Sequence, residues 1–350
     1  MSDWVEVDGS AGEGGGQVVR GALALSLGTG RACRIDGIRA RRDKPGLRPQ
    51  HVAAVRLAAA VGGASVQGDD VGSRSLVFVP QNVPPGRYTC DVGTAGSTAL
   101  VLQAVLPALA GAGGPSELVL RGGTHTRRAP SVDFVARTLA PRFGTLGTTV
   151  HVDLIRPGFE PVGDGEIHVE VRPRGRLGRY EALGAGRSRV AAANALVAGL
   201  DESIGHREVQ LIGEVLSLPQ NQLHVVTRSD GPGNAVSIDV ETEAGVEVFT
   251  ALGRIGLRAE RVARNAIRDA RTFLRAGVPV GPHLADQLLV PMALGAGGAF
   301  DTVRPTSHAT TQARLVGLFL PEVSVRFSDL GGGRWRCEVT HSDTPHAARP

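Results

Sequence analysis

The sequence predicts a mixed α/β (α+β) fold of three repeated β-α-β-α-β-β units, with a small α/β domain inserted in the third unit. Three observations lead to this prediction. Short apolar runs typical of strands alternate with longer runs of helical period along the chain. Glycine-rich or small-residue turns stand between the first strand of a unit and the helix that follows it. The order of elements recurs after roughly 80 residues in the first two units.

The elements of the first two units follow from their turn residues and their apolar periodicity. Glycines end the expected helices, and small or polar residues precede them. In the first unit we expect a strand at 4–7, a helix reaching residue 27, a strand at 33–38, a helix at 50–61 and strands at 64–67 and 75–79. In the second unit we expect a strand at 88–92, a helix at 98–109, a strand at 117–120, a helix at 132–143 and strands at 148–154 and 166–171.

The third unit is expected to be interrupted by a long insert. The insert is too long for a loop and has strand and helix patterns of its own, including a helical pattern at 260–274. After it we expect a helix at 283–294, a strand at 300–303, a helix ending at 320 and two strands joined at 331–333. These bounds predict a large domain of residues 1–183 and 278–340, a small domain at 184–277 and a disordered tail at 341–350.

The composition argues against several classes of protein. The 350 residues are 42% hydrophobic, but no apolar run approaches about 18 residues and no charged-then-apolar leader is present, so we expect a cytoplasmic protein with no membrane partner. Cys33, Cys90 and Cys337 are too widely spaced for a disulfide framework or a zinc site. The net charge of +4 is carried almost wholly by arginine, since Lys44 is the only lysine, and it supports a nucleic-acid partner only weakly.

A glycine-rich loop at 9–17 precedes the first helix. The free N–H groups and the positive dipole end of such a helix favour an anion, and phosphate is the first candidate. The loop has neither the Gly-Lys-Ser/Thr of an ATPase phosphate-binding loop nor the third glycine of a dinucleotide-binding motif. A tight strand-to-helix turn without a ligand is the alternative, and the loop alone does not decide between the two.

Side chains that can bind phosphate recur at equivalent places in the three units, either in the turn before a helix or in the helix's first turns. Helices that start at the same edge of related sheets would bring these residues to one cleft. The residues are Glu13, Gln17, Arg20, Arg39, Arg42, Lys44 and Gln50 in the first unit, Gln103 in the second, and Asp286, Gln287 and His308 in the third.

A set of motifs carries a resemblance to a known family. The motifs are Gly12-Glu13-Gly14-Gly15-Gly16-Gln17 with Arg20, Ile38-Arg39-Ala40-x-Arg42-x-Lys44-Pro45-Gly46-Leu47 with Gln50-His51, Gly93-x-Ala95-Gly96-Ser97 with Gln103, Asp230-Gly231-Pro232-Gly233-Asn234, Leu284-Ala285-Asp286-Gln287 and Thr306-Ser307-His308. Together they resemble the RNA 3′-terminal phosphate cyclases over nearly the whole chain. The resemblance implies three repeats like the C-terminal domain of a translation initiation factor, plus a small inserted α/β domain. The chain departs from the family at His283, where relatives often carry tyrosine, and at 163–165, where a fuller glycine run is usual.

The resemblance also implies an activity and its partners. A cyclase of this family would use ATP to convert an RNA 3′-phosphate to a 2′,3′-cyclic phosphate, with AMP bound first to a histidine and then to the RNA end. ATP, RNA with a 3′-phosphate end and Mg²⁺ or Mn²⁺ are the implied partners, with no requirement for DNA. Two alternatives remain open: a cyclase-like RNA-binding scaffold of ribosome assembly, which lacks the nucleophilic histidine, and an enolpyruvyl transferase of related repeat architecture.

The resemblance and the chemistry of the side chains together assign the other site residues. Arg20, Arg39 and Arg42, with Gln50 as an uncharged donor, are expected to bind the phosphates of ATP and RNA. Glu13 is expected to bind the metal ion, and an acid favoured by the helix dipole is the alternative. By resemblance, the nucleotide-binding residues are Gln17, Gln103, His283, Leu284, Ala285, Asp286 and Gln287. For the polar ones, a role in satisfying buried backbone groups is the alternative.

His308 is expected to be the nucleophile. It enters the second helix of the third unit among small polar residues, and imidazole offers a free nitrogen lone pair near pH 7. Lys44 does not lie in a motif like that of the lysine-adenylating ligases, and no cysteine lies in a comparable motif. His51 and His125 are the competing histidines.

Overall fold

Four four-stranded sheets and their helices make up the computed structural model, which describes residues 4–184, 186–228 and 232–342. The predicted α/β class is confirmed. Of the predicted tail, His341 ends the last strand, and residues 343–350 lie outside the described part. The motif at 230–234 also lies partly outside it. Within the described residues, no helix has both the length and the apolar composition that crossing a membrane requires.

The first sheet contains β1 (Val5–Asp8), β2 (Cys33–Asp36), β3 (Ser65–Gln67) and β4 (Ser75–Val79), with helices α1 (Gly16–Thr29) and α2 (Pro49–Gly62). Its strand order is β1-β2-β4-β3. β1 and β2 pair in parallel because α1 crosses over between them, and β4 pairs antiparallel to β2 and β3. Alternate residues of β1 and β2 are buried, so one face of the sheet packs on the core.

The second sheet has the strand order β5-β6-β8-β7 and more irregular helices. It contains β5 (Arg87–Asp91), β6 (Ser116–Gly122), β7 (Thr148–Arg156) and β8 (Gly165–Pro173), with α3 (Thr98–Gln103), α4 (Leu106–Ala110), α5 (Val132–Phe134), a π-helical turn (Val135–Leu139) and α6 (Ala140–Thr145). The helix predicted at 98–109 is divided because Pro107 has no N–H to donate to the carbonyl of Gln103. Pro141 stands in the same relation to Arg137, where the chain forms the π-helical turn.

The third and fourth sheets are interleaved in the sequence. After β9 (Tyr180–Ala182) the chain builds the fourth sheet from β10 (Arg189–Ala198), β11 (Leu223–Arg228), β12 (Gly233–Thr242) and β13 (Gly245–Leu252), with α7 (Ser203–Leu216), a 3₁₀ turn (Gln220–Gln222) and α8 (Ala259–Ala276). It then completes the third sheet with α9 (Pro282–Leu294), β14 (Gly298–Val303), α10 (Ser307–Phe319), β15 (Val323–Gly331) and β16 (Arg334–His341). The fourth sheet has the order β11-β10-β12-β13, and the third, starting from β9, has the order β9-β14-β16-β15.

The hydrophobic core is divided in the same way. The first three sheets and their helices share one large cluster of buried apolar residues, whereas the fourth sheet packs on α7 and α8 through a separate cluster. Polar contacts join the two parts. Arg137, in the π-helical turn, donates to Asp239 Oδ2 at 2.6 Å and to Ser237 Oγ at 2.8 Å on β12, and Ser131 and Thr250 share a hydrogen bond of 2.9 Å. These contacts hold the fourth sheet beside the second.

Candidate active site

A cavity of about 1220 Å³ lies where the N-terminal ends of four helices meet. α1, α2, α9 and α10 contribute residues from their first turns, among them Gln17, Gln50, His283 and His308. The first turn of a helix leaves backbone N–H groups without partners inside the helix and carries positive dipole charge. Four such ends around one space favour a ligand with several negative charges.

Most of the site residues predicted from the sequence line this one cavity. They are Glu13, Gln17, Arg20, Arg39, Arg42, Gln50, Gln103, His283, Asp286, Gln287 and His308. Leu284 and Ala285 belong instead to the hydrophobic core, where they are 0% and 3% exposed to solvent. A helix with 3.6 residues per turn cannot present five consecutive residues on one face, so α9 turns His283, Asp286 and Gln287 to the cavity and the two apolar residues to the core.

The glycine-rich loop brings the backbone of α1 close to the cavity side chains. Gly12 and Gly14 have φ angles of +62° and +60°, which favour glycine. A Cβ atom on Gly16 would collide with the imidazole of His51 and the guanidinium of Arg20, so a larger residue there would displace both side chains. The Glu13 N–H donates to Thr311 Oγ1 at 3.1 Å and thereby ties the loop to α10, the helix that carries His308.

Glu13 has one carboxylate oxygen paired and one free. Its Oε1 accepts a hydrogen bond from Arg42, and Oε2 is buried with no hydrogen-bond partner among the described residues. Across residues 4–184, 186–228 and 232–342, no group of three or more His, Cys, Asp or Glu side chains is arranged to hold a metal ion. Mg²⁺ bound with a nucleotide needs only one or two carboxylates, since phosphate oxygens and water complete its shell. The buried free oxygen of Glu13 fits a metal ion of that kind.

Arg20 holds a positive charge on the wall of the cavity. Arg20 is only 7% exposed to solvent. Its guanidinium donates to Gln103 Oε1 at 3.2 Å and to Gln17 Oε1 at 3.0 Å. Burial lowers its pKa to about 10, which leaves it protonated at neutral pH. Neutral amide partners fix the position of the guanidinium without cancelling its charge, so Arg20 is ready to bind an anion.

Arg39 and Arg42 form a second positive group at the basic turn. Arg39 has a φ of +54°, an uncommon value for a residue with a side chain. It donates to the carbonyl of Lys44 at 3.2 Å, and its buried Nε lacks a partner in the part of the chain that the structure describes. The pKa of Arg39 is lowered mainly by burial and, to a smaller extent, by the positive charges of Arg42 and Arg48. An anion in the cavity would relieve this like-charge repulsion.

His308 is the second residue of α10, which begins after Thr306, whose hydroxyl accepts from the N–H of Ala309 at 3.1 Å. Its Nδ1 is buried without a partner, and Nε2, which is not fully buried, makes no hydrogen bond to any described residue. His283 lies near His308, on α9. Its pKa is lowered mainly by burial and further by the charge of His308, while the carboxylate of Asp269 acts in the opposite direction. One ring nitrogen of His308 therefore remains available to a ligand in the cavity.

The competing histidines are less suited to nucleophilic attack. His51 also lines the cavity, but its Nδ1 accepts the Arg48 N–H at 3.0 Å, so in the neutral ring the hydrogen is assigned to Nε2. Burial and the charges of three nearby arginines lower its pKa to about 3 and keep it neutral. His125 is 1% exposed and lies between Thr124 Oγ1 at 2.8 Å and Asp133 Oδ2 at 2.7 Å. Neither His51 nor His125 offers a free nitrogen lone pair to the cavity.

The cavity has two walls that the sequence did not indicate. One is the loop at 126–131, with Arg127 and Arg128, together with Glu160 and Pro161. The other consists of Asp269, Thr272 and Phe273 from α8 of the fourth sheet. No motif marks these positions, because they reach the cavity only through the packing of one part of the fold against another. Arg127 and Arg128 are two adjacent basic residues after a Gly-Gly-Thr-His turn, the only hint that the sequence contained.

Asp286 is a buried acid beside Arg20. Asp286 is only 6% exposed to solvent, and its Oδ1 accepts a hydrogen bond of 2.9 Å from the side-chain amide of Gln287. Burial raises its pKa to about 7, although the Gln287 bond and the charge of Arg20 both act in the opposite direction. The group can therefore be present in the cavity as either a hydrogen-bond donor or an acceptor near neutral pH.

Replacing Asp286 by asparagine should remove a pH-dependent part of the unfolding free energy. The folded-state pKa of about 7 lies above the ordinary value of 3.8, so the carboxyl group's contribution is complete below about pH 4 and is lost as the pH rises through 7. The free energy of unfolding of the wild type, relative to that of Asp286→Asn, should fall by up to about 1.4 kcal/mol per pH unit between about pH 4 and pH 7. Denaturant unfolding at several pH values measures it. Glu208, Asp239 and Glu247, the other acids whose pKa is raised by burial, are common to both proteins, so their contributions cancel. A difference between the two proteins that stays constant with pH would contradict the prediction.

Comparisons with known proteins identify the family of the chain. The family model described as RNA 3′-terminal phosphate cyclase matches residues 11–326. The chain is 45% identical to the RNA 3′-terminal phosphate cyclase of Koribacter versatilis, over 93% of this chain and 92% of that protein, and 41% identical to the one of Salmonella typhimurium, over 98% of each. The enolpyruvyl transferase NikO of Streptomyces tendae aligns with 96% of this chain and 48% of its own, but the 10% identity and the TM-score of 0.37 are too low to indicate a shared fold. The family match and the curated relatives show that the chain belongs to the RNA 3′-terminal phosphate cyclase family.

Proposed function

We propose that this protein is an ATP-dependent RNA 3′-phosphate cyclase that works through AMP bound to His308. Family membership supports the reaction, and one observation about the cavity supports the mechanism. His308 has a free ring nitrogen in the same space as Arg20, Arg39 and Arg42, at a place where four helix N-termini meet. A nucleophile surrounded by groups that bind phosphate is the arrangement that nucleotidyl transfer requires.

The first step joins AMP to the protein. A ring nitrogen of His308 attacks the α-phosphorus of ATP, a P–N bond forms, and the P–O bond to pyrophosphate breaks. The pyrophosphate carries away the negative charge of the leaving oxygen. The arginines of the cavity lower the energy of this step because they stabilise charge that spreads onto the phosphate oxygens in the transition state.

The second and third steps move AMP to the RNA and then release it. An oxygen of the RNA 3′-phosphate attacks the AMP phosphorus and breaks the P–N bond, which regenerates His308. The ribose 2′-hydroxyl then attacks the 3′-phosphorus, AMP leaves, and the hydroxyl proton passes to water or to a nearby base. Activation is needed because a terminal phosphate oxygen is a poor leaving group, whereas AMP is a good one.

A divalent metal ion fits the same proposal. Glu13 would hold Mg²⁺ or Mn²⁺ through the buried oxygen Oε2, which lacks a partner in the described residues. When bound, the ion supplies positive charge that offsets the charge of the ATP phosphates. Arg42 would keep Glu13 in place through its hydrogen bonds to Oε1 and to the backbone carbonyl of Glu13, the latter at 2.9 Å.

Incubation with α-labelled ATP tests the proposed function. The purified protein should retain label in the absence of RNA, release pyrophosphate in equal amount, and convert a 3′-phosphorylated RNA to a 2′,3′-cyclic end with one AMP per end. Neither alternative from the sequence predicts this result, since a non-catalytic scaffold and an enolpyruvyl transferase form no protein-bound adenylate. Absence of both labelled protein and cyclic ends under varied metal conditions would refute the proposal.

Replacing Glu13 by alanine should raise the concentration of Mg²⁺ or Mn²⁺ that gives half-maximal activity by about tenfold or more, because the main protein ligand of the ion would be lost. Titration of cyclisation with each metal measures the change. Glu13→Gln is the matched variant, since it keeps the size of the side chain and its ability to accept from Arg42 but removes the charge. An unchanged metal titration in both variants would leave Glu13 only its alternative role at the helix N-terminus.

A further inference from the structure

Helix α8 presents a line of five exposed arginines. They are Arg261, Arg264, Arg268, Arg271 and Arg275. Their spacing alternates between three and four residues, which keeps all five on one narrow side of the helix. At about 1.5 Å per residue the line runs for about 21 Å. We call it the arginine stripe.

The arginine stripe takes no part in the hydrophobic packing of the fourth sheet. The opposite side of α8 packs into the core of that sheet through buried residues such as Val262, Ala266 and Phe273. The side chains of Arg261, Arg264 and Arg275 make no hydrogen bond or ion pair with any residue in the described part of the chain.

The other two arginines of the stripe have protein partners. Arg268 donates to the neighbouring Asp269 at 2.9 Å, and Arg271 donates to the carbonyl of Val215 at 3.0 Å. These contacts hold the two side chains on the surface but leave most of their donors unused. Charge without an internal partner is therefore concentrated along the stripe.

The charge of the stripe is local and does not reflect a generally basic domain. Residues 184–277 contain eleven arginines and eleven aspartates or glutamates, so the segment as a whole is neutral. α8 itself carries only two acids, Glu260 and Asp269, and Glu260 lies 3.4 Å from Arg207 of α7. Such segregation of charge creates a surface that attracts a polyanion.

The arginine stripe also borders the candidate active site. Asp269, Thr272 and Phe273 of the same helix line the cavity, and Arg268 and Arg271 stand next to them in sequence. At about 100° per residue, Thr272 lies between the cavity side of α8 and the stripe side. A chain of phosphates whose end lies in the cavity can therefore continue along the stripe without crossing the apolar side of the helix.

We propose that the arginine stripe binds the phosphate backbone of the RNA nucleotides that precede the 3′ end. This proposal rests on the proposed function, since it takes the occupant of the cavity to be an RNA 3′-phosphate. Guanidinium groups bind phosphate through paired hydrogen bonds and make no distinction among bases, so the contact is independent of sequence. The stripe makes affinity depend on the length of the RNA, whereas the cavity alone would recognise only its end.

The double variant Arg264→Glu/Arg275→Glu tests this inference by direct RNA binding. With a 3′-phosphorylated single-stranded RNA of about 20 nucleotides, affinity at about 0.1 M salt should fall by about tenfold or more. The slope of log affinity against log salt should become less steep by about 1.4, because each lost phosphate contact removes about 0.7. Binding of a 3′-phosphorylated trinucleotide, which reaches only the cavity, should stay within about twofold of wild type. Fluorescence anisotropy measures all three quantities.

Matched variants separate the stripe from a general effect of charge. Arg176→Glu/Arg326→Glu makes the same change in net charge at two exposed arginines that do not line the cavity, and it should leave binding of the long RNA within about twofold of wild type. Arg264→Lys/Arg275→Lys keeps the charge and should retain most of the affinity. Equal losses in the stripe variant and the matched variant, or an unchanged affinity in the stripe variant, would overturn the proposal.

Labelling with ATP distinguishes failure of this inference from failure of the proposed function. The stripe lies outside the cavity, so Arg264→Glu/Arg275→Glu should acquire label from α-labelled ATP as the wild type does. If the wild type forms no adenylate, but the stripe variant binds long RNA more weakly than the wild type does, the stripe is upheld and the proposed function fails. If labelling and cyclisation occur but RNA length has no effect on affinity, the stripe is refuted and the proposed function stands.

Discussion

Replacing His308 by alanine should abolish the transfer of AMP from α-labelled ATP to the protein and with it RNA cyclisation. His51 lines the same cavity but uses its lone pair to accept the Arg48 N–H, whereas neither ring nitrogen of His308 has a hydrogen-bond partner among the described residues. Loss of a covalent nucleophile lowers rates by about 10⁴-fold or more. Label bound to the purified protein, together with the yield of cyclic 3′ ends, measures the effect. His308→Asn, which keeps a polar side chain of similar size, should be equally inactive.

The chemistry and position of the adduct provide the controls for this prediction. A phosphoramidate should be lost in acid and stable in hydroxide, and mass spectrometry should place it on His308. His206→Ala is the matched control, because His206 is exposed on α7 and does not line the cavity. Wild-type labelling of His308→Ala, or an adduct on another residue, would show that the mechanism uses a different carrier.

Replacing Arg39 or Arg42 by alanine should each reduce cyclisation at subsaturating ATP and RNA by about 10²-fold. Both guanidinium groups line the cavity and repel each other, so we expect the phosphates of a bound ligand to stabilise their charge. The folded protein should lose little stability, since neither side chain packs in the hydrophobic core. Initial rates and thermal unfolding of the same preparations measure the two effects.

Arg41 is the matched control for the two arginines. It belongs to the same basic turn and is exposed, but it does not line the cavity, so Arg41→Ala should retain near-normal activity. Arg39→Lys and Arg42→Lys should recover part of the lost rate because they restore charge without the paired donors of a guanidinium. Near-normal activity of both alanine variants, or an equal loss in Arg41→Ala, would contradict this assignment.

Local rules explain which parts of the fold could be predicted. The α/β class and most element positions follow from periodicity and turn residues, which act over a few residues. The helix predicted at 98–109 was wrong in its continuity, because the apolar pattern outweighed the missing N–H of Pro107. The repeated units and their likeness to an initiation factor domain stay predictions, although the first three sheets have matching strand orders, β1-β2-β4-β3, β5-β6-β8-β7 and β9-β14-β16-β15. The proposed domain bounds stay predictions as well.

Most of the candidate site could be predicted because its residues lie at the starts of helices, either in the turn before the helix or in its first turns. Arg20, Gln50 and His308 stand at such starts, and the structure brings them to one cavity. Their chemical roles stay predictions until they are measured. Asp269 and Thr272 could not be found, because their position depends on how the fourth sheet packs beside the second, which no short motif encodes. The sequence pattern assigned all of residues 283–287 on α9 to nucleotide binding and did not show that two of them, Leu284 and Ala285, belong to the core.

The hydrogen bond between the Glu13 N–H and Thr311 joins residues that are 298 positions apart in the chain. The loop that favours an anion is therefore made on the ribosome well before α10. The first sheet is synthesised long before the histidine that would receive AMP. The complete cavity therefore exists only after the end of α10 has left the ribosomal exit tunnel, and a chain shortened before Thr311 keeps its glycine loop but has no partner to close it. Of the residues that line the cavity, His308 is thus the last to be synthesised.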